Sequence, residues 1–166
     1  MSDPIAPLPR PRPYHVGHVR ETLLDRAGET LRDEGLAQLN LRSLSRKTGV
    51  ALGSVYHHFE SKGDLLAALA VRGFQQLKAE LSEVLSQDGG AKLRACIGRY
   101  FVFARREPGL YALMFDAQVS RFEAVQAERA AVFQLFEDVI TLTPVPPERL
   151  QIERLGRRTS GRIVLV

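Results

Sequence analysis

The chain is 166 residues long, with 45% hydrophobic and 25% charged residues, an ordinary globular composition that excludes a disordered polypeptide. No window approaches the roughly 18 consecutive apolar residues of a membrane-spanning helix, and Pro and Arg occupy the N-terminus where a signal peptide places an apolar run, so a cytoplasmic protein without a membrane partner is expected. The formal net charge of +4 suits an anionic partner, and the single cysteine, Cys96, lies in an apolar stretch that predicts a buried thiol rather than a disulfide.

Residues 1–15 form the first segment. Met1 to Pro13 hold five prolines together with Arg10 and Arg12, which reads as an extended or disordered arm whose arginines could reach an anionic partner. From Val16 the pattern turns helical: Val16, Val19, Leu23, Leu24, Ala27 and Leu31 share one face, and the helix ends near Asp33-Glu-Gly35. Asn40 is an N-cap for a second helix with Leu41, Leu44 and Thr48 inward, stopped by Gly49. A helix of about eight residues is unstable alone and must be part of a module.

After Gly49-Val-Ala51 a third helix is predicted from Leu52 to His58, with Val55 and Phe59 facing inward. Its other side presents Gly53, Ser54 and His57, bordered by Tyr56, a surface of short or hydrogen-bonding groups. Ser61-Lys-Gly-Asp64 resembles a capping box with Asp in the Glu position and opens a long helix through Leu85, broken at Gln87-Asp-Gly-Gly90. Further helices are predicted over Ala91 to Arg106, Pro108 to Ala117 and Arg121 to Leu142, with a last one after Thr143-Pro-Val-Pro-Pro147. No alternating strand pattern competes, so the fold class is all-α.

Two short helices joined by a glycine turn make a helix-turn-helix, whose second helix enters the major groove of double-stranded DNA. The backbone at Leu52 and Gly53 can approach a phosphate at the start of that helix, and Lys62 stands at another helix start. Residues 1–66 carry nine Lys or Arg against eight Asp or Glu, so DNA contact must depend on local placement rather than on overall charge. His57 and His58 are adjacent and diverge by about 100 degrees, which argues against a metal site. No metal-ligand spacing, phosphate-cradling loop or Ser, His and Asp constellation points to an enzyme or to a cofactor.

The run Leu41-Arg-Ser-Leu-Ser-Arg-Lys-Thr-Gly-Val50, then Ala51-Leu-Gly-Ser-Val-Tyr-His-His-Phe59 and Glu60-Ser-Lys-Gly-Asp-Leu-Leu66, resembles the DNA-binding domain of tetracycline-repressor-type (TetR family) regulators. The resemblance spans Val16 to Leu66. It implies a homodimer on a palindromic operator, with Arg42, Ser43, Ser54, Tyr56, His57 and Lys62 at positions that touch DNA. Leu52 stands where the family often has Lys, Arg or Pro, so an apolar contact to a thymine methyl could replace a phosphate contact. Tyr100-Phe-Val-Phe-Ala104 and Glu107-Pro-Gly-Leu-Tyr-Ala-Leu-Met-Phe115 resemble the C-terminal domain of the WHG subgroup, which implies a helical body, residues 67–166, responsive to a small-molecule effector.

Aromatic residues of this body most simply fill a core. Tyr100, Phe103, Tyr111, Met114, Phe115 and Phe133 are also candidates to line an effector cavity, because such cavities are mostly apolar with a few polar groups. At the C-terminus, where the family continues in two substantial helices, Arg154-Leu-Gly-Arg-Arg-Thr-Ser-Gly-Arg162 is short and basic. The leading expectation is a ligand-responsive repressor. The alternative is a helical binding or scaffold protein that has lost specific DNA reading through a shortened dimer interface.

Overall fold

A computed structural model describes residues 18–86 and 92–142. The expected N-terminal arm, the break at 87–90, the last helix and the basic tail lie outside these residues. The described residues form eight α-helices and no strand.

Helix α1 (Val19–Asp33) buries Val19, Leu23, Leu24, Ala27 and Leu31, the stripe expected from their spacing. It closes with the Glu34 and Gly35 amides donating to the Thr30 carbonyl at 2.9 and 3.1 Å. A short 3₁₀ turn, Leu36–Gln38, follows, which periodicity does not predict, and it buries Leu39 completely. Helix α2 (Leu41–Thr48) starts where Asn40 Oδ1 accepts from the Ser43 amide at 2.8 Å, and ends at Gly49, whose φ of +71° is the left-handed conformation that glycine adopts without strain. Helix α3 (Leu52–His58) is only seven residues and is held by Val55 and Phe59, 0% and 2% exposed.

Helix α4 (Lys62–Ser86) begins with the expected capping box: the Ser61 amide donates to Asp64 Oδ2 at 2.8 Å and the Asp64 amide donates to Ser61 Oγ at 3.2 Å. It is the central element, touching α1 and each of the later helices. The expected boundary at residue 66 falls inside it, so the segment expected over 16–66, the head, and the body expected over 67–166 share one continuous helix and one core, running from Val19 to Val139.

Around α4 stand α5 (Lys92–Arg106), α6 (Pro108–Met114), α7 (Ala117–Ser120) and α8 (Glu123–Leu142). Pro108 opens α6, where its missing N–H costs nothing. The helix expected to run from Pro108 to Ala117 instead stops at Met114. Asp116 is extended, and its Oδ1 accepts from the Gln118 amide at 2.7 Å, so a side-chain cap starts α7 in what periodicity reads as one helix. The helix expected from Arg121 to Leu142 starts at Glu123, because Arg121 and Phe122 lie in the turn that closes α7 and receives the Val125 amide. Gly73 lets α4 and α6 meet closely, and Glu128 of α8 accepts from Gln75 and Lys78 of α4 at 2.8 and 3.3 Å. Cys96 is 2% exposed, and burial pushes its thiol pKa up. Among the described residues no helix is long and apolar enough to cross a membrane.

Candidate nucleic-acid interface

The angle between α2 and α3 is set by the turn. Val50 is 3% exposed, Ser45 Oγ donates to its carbonyl at 2.7 Å, and its amide donates to Thr48 Oγ1 at 3.3 Å. Burial of Val55 and Phe59 then fixes the rotation of α3, and the Arg20 guanidinium covers the Phe59 ring at 5.4 Å. With that face inward, the face left outward carries Gly53, Tyr56 and His57, all exposed, with Ser54 half-buried beside them. Tyr56 is 43% exposed and Leu52 37%. His57 and His58 meet edge to face, 5.4 Å between ring centroids.

Ala51 gives α3 no side-chain cap, so no side chain among the described residues occupies the amides at the helix start. A Cβ at Gly53 would meet nothing within 4 Å, which leaves that backbone open to a phosphate. Arg42 is exposed near the start of α2, whereas the Ser43 hydroxyl donates locally to the Asn40 and Gln38 carbonyls at 3.0 and 3.2 Å. Ser43 therefore supports the α2 start and has only its lone pairs left for a second partner. Lys62 Nζ donates to the Leu36 carbonyl at 3.4 Å, a long bond that orients the ammonium at the start of α4 while leaving it exposed.

The charge distribution has a feature that totals conceal. From Gly35 to Phe59 there are three cations, Arg42, Arg46 and Lys47, and no carboxylate. Lys47 is spent on α1, donating to Thr30 Oγ1 at 3.2 Å and pairing with Glu34. Arg46 is exposed one helical turn after Arg42, so the two guanidiniums share a face of α2. Averaging over residues 1–66 hid this stripe, and Arg46 was missed as a candidate. Its i, i+4 spacing from Arg42 was the available signal.

The six aromatic and Met candidates of the body do not share one environment. Phe103 and Met114 are 0% exposed and belong to the core, while Phe133 is 50% exposed on α8. Tyr100 and Tyr111 share a 2.8 Å hydrogen bond between hydroxyls, and the Phe115 ring meets Tyr111 tilted by 52°, 5.1 Å between centroids. Burial, then the Tyr111 hydrogen bond, raises the Tyr100 phenol above its ordinary range. A cleft of about 390 Å³ opens elsewhere, between α1, α4 and α6, and none of the six lines it. No group of three or more His, Cys, Asp or Glu able to hold a metal occurs among the described residues.

Residues 23–69 match the bacterial regulatory proteins of the tetR family, and residues 93–159 match the tetracyclin repressor-like C-terminal domain. Over 112 residues the chain is 30% identical to the uncharacterized HTH-type transcriptional regulator YobS of Bacillus subtilis (strain 168), covering 66% of this chain and 59% of that protein. A solved structure of a protein of unknown function from Rhodococcus sp. RHA1 is 32% identical, with a TM-score of 0.63 over 79% of this chain and 72% of that one. A provisionally assigned tetR-family transcription regulator from Shewanella sp. PV-4 shares the fold, with a TM-score of 0.57 at 21% identity over 82% of this chain and 79% of that one. The chain spans about half to two thirds of the length of the curated relatives it matches.

Proposed function

Because the chain belongs to the tetR family of bacterial regulatory proteins, we propose that it is a DNA-binding transcriptional regulator, acting in the cytoplasm as a ligand-responsive repressor. In this reading two copies occupy a palindromic operator, each placing α3 in one of two successive major grooves about 34 Å apart. The observation that carries the reading is the outer face of α3. Buried Val55 and Phe59 hold Ser54, Tyr56 and His57 outward on a segment that bears three cations and no carboxylate.

The roles divide by chemistry. Tyr56, His57 and Ser54 supply hydrogen-bonding groups to base edges or phosphates, and Leu52 supplies an apolar contact to a thymine methyl. Arg42, Arg46, Lys62 and the amides at Leu52 and Gly53 neutralise or bond phosphates, with Ser43 holding the start of α2. An effector acts by binding one head arrangement better than another, which shifts the spacing of the two α3 helices.

The test joins sedimentation of the protein with a salt titration of its binding to the DNA upstream of its own coding sequence, against a scrambled duplex. A dimer that prefers the upstream duplex, with affinity falling steeply with salt, is the expected result. A monomer binding both duplexes equally and weakly would overturn the repressor reading in favour of a helical binding protein.

A further inference from the structure

The cleft between α1, α4 and α6 has the size of a small-ligand site and a floor of Leu24, Leu31 and Leu69, each at most 5% exposed. Its two walls belong to different parts of the molecule. Gly73 lets α6 seat directly on α4, so these two form one body wall, and α1 of the head forms the other.

Gly28 lies on the α1 wall. A glycine inside a helix weakens it relative to alanine, and glycine is usually required there by a left-handed backbone or a close approach. Neither applies: Gly28 has no positive φ, and a Cβ would meet nothing within 4 Å. What the missing side chain leaves is open volume in the cleft.

The charged lining has three carboxylates, Asp25, Glu29 and Glu107, and two guanidiniums, Arg32 and Arg72, with Glu29 paired to Arg26 outside the cleft at 2.6 Å. Two ion pairs cross from head to body: Arg32 to Glu107 at 3.2 Å, and Asp25 to Arg72. The Glu107 side chain is only 16% exposed, whereas Arg32 is 55% exposed. An exposed arginine can swing into water at little cost, but an enclosed carboxylate needs its counter-charge replaced. The Arg106 guanidinium is shared: its Nη2 pairs with Glu80, and its Nε stands 3.7 Å from Glu107, beyond hydrogen-bond distance, so Arg32 is the closer counter-charge of Glu107. The lining therefore favours a cation that takes the place of Arg32.

We infer that this cleft is the effector site and that its ligand is a compact apolar group carrying one positive charge. The regulatory meaning rests on the regulator reading above. The bound cation replaces Arg32 on Glu107, releases one of the two ion pairs between α1 and the body, and wedges the walls apart, which changes the attitude of the head.

The experiment uses benzyltrimethylammonium as the cationic probe and phenylacetate as an anion of similar size, each titrated calorimetrically into the full chain. The cation is expected to bind at least about tenfold tighter than the anion. Glu107→Gln should erase that preference, and Gly28→Leu should weaken the cation by at least about tenfold while leaving upstream-duplex affinity and far-ultraviolet dichroism unchanged. Equal affinity for the two probes would overturn the inference, as would undiminished cation binding by Gly28→Leu. Upstream-duplex preference without cation preference means that the cleft assignment fails and the regulator reading stands. Cation binding blocked by Gly28→Leu, without duplex preference, means the reverse.

Discussion

Gly73 of α4 lies so close to Met114 of α6 that a Cβ built on it would stand 2.8 Å from the methionine Sδ, with Leu110 Cγ at 3.1 Å. Met114 is 0% exposed and has little room to withdraw. Gly73→Val should therefore lower stability by about 1–3 kcal/mol through overpacking. Gly28→Ala, at a helical position with open space, should raise stability by about 0.5–1 kcal/mol. Urea unfolding of the two variants measures both signs, and a neutral Gly73→Val would refute the close α4–α6 seat.

The α3 face predicts a division of effects in DNA binding. Tyr56→Ala should cost about 1–3 kcal/mol of upstream-duplex affinity and reduce the preference over scrambled DNA. Arg42→Ala, Arg46→Ala and Lys62→Ala should each weaken both duplexes and reduce the salt slope by about 1. All four side chains are exposed, so melting should move by no more than about 0.5 kcal/mol equivalent. Anisotropy titrations at several salt concentrations separate the two classes.

The turn between α2 and α3 predicts a coupled loss. Gly49 has φ of +71°, a conformation that costs an L-residue roughly 1–2 kcal/mol. Gly49→Ala should lower stability by about that amount, and Asn40→Ala, which removes the 2.8 Å bond to the Ser43 amide, by about 0.5–2 kcal/mol. Chemical denaturation measures both. Operator affinity should fall more for Gly49→Ala, because Val50 and the angle of α3 depend on that turn.

The head was the most legible part of the chain because its helix ends are written in local chemistry. Asn40, Gly49 and the Ser61 and Asp64 pair each satisfy backbone groups within a few residues, so a sequence window contains both partners. The body was less legible, because its apolar periodicity runs across a local cap and its other defining contacts are far apart in sequence. Asp116 caps a four-residue helix inside an apolar run, and periodicity passes over a break that only a side-chain bond creates. The cleft had no local signature, since Arg32 and Glu107 are 75 residues apart and only the fold pairs them. Aromatic spacing in α5 and α6 could not separate core from cavity, and Phe103 and Met114 are fully enclosed.

Glu128 gives a pH prediction for the α4–α8 contact. Hydrogen bonding from Gln75, then from Lys78 with its charge, holds its carboxyl below the usual carboxylate value, against an opposing effect of burial. The unfolded chain releases that hold, so it binds the proton more readily, and the native state gains stability from the ionised group at pH above its unfolded value. That gain disappears as pH falls through the lowered native value. Glu128→Gln should therefore be less stable than the wild type near neutral pH and approach it in acid, with a shallower dependence of melting temperature on pH below about 4.5. Melting curves from pH 7 to pH 3 measure the difference, and parallel curves for the two proteins would show that Glu128 is not held in this way.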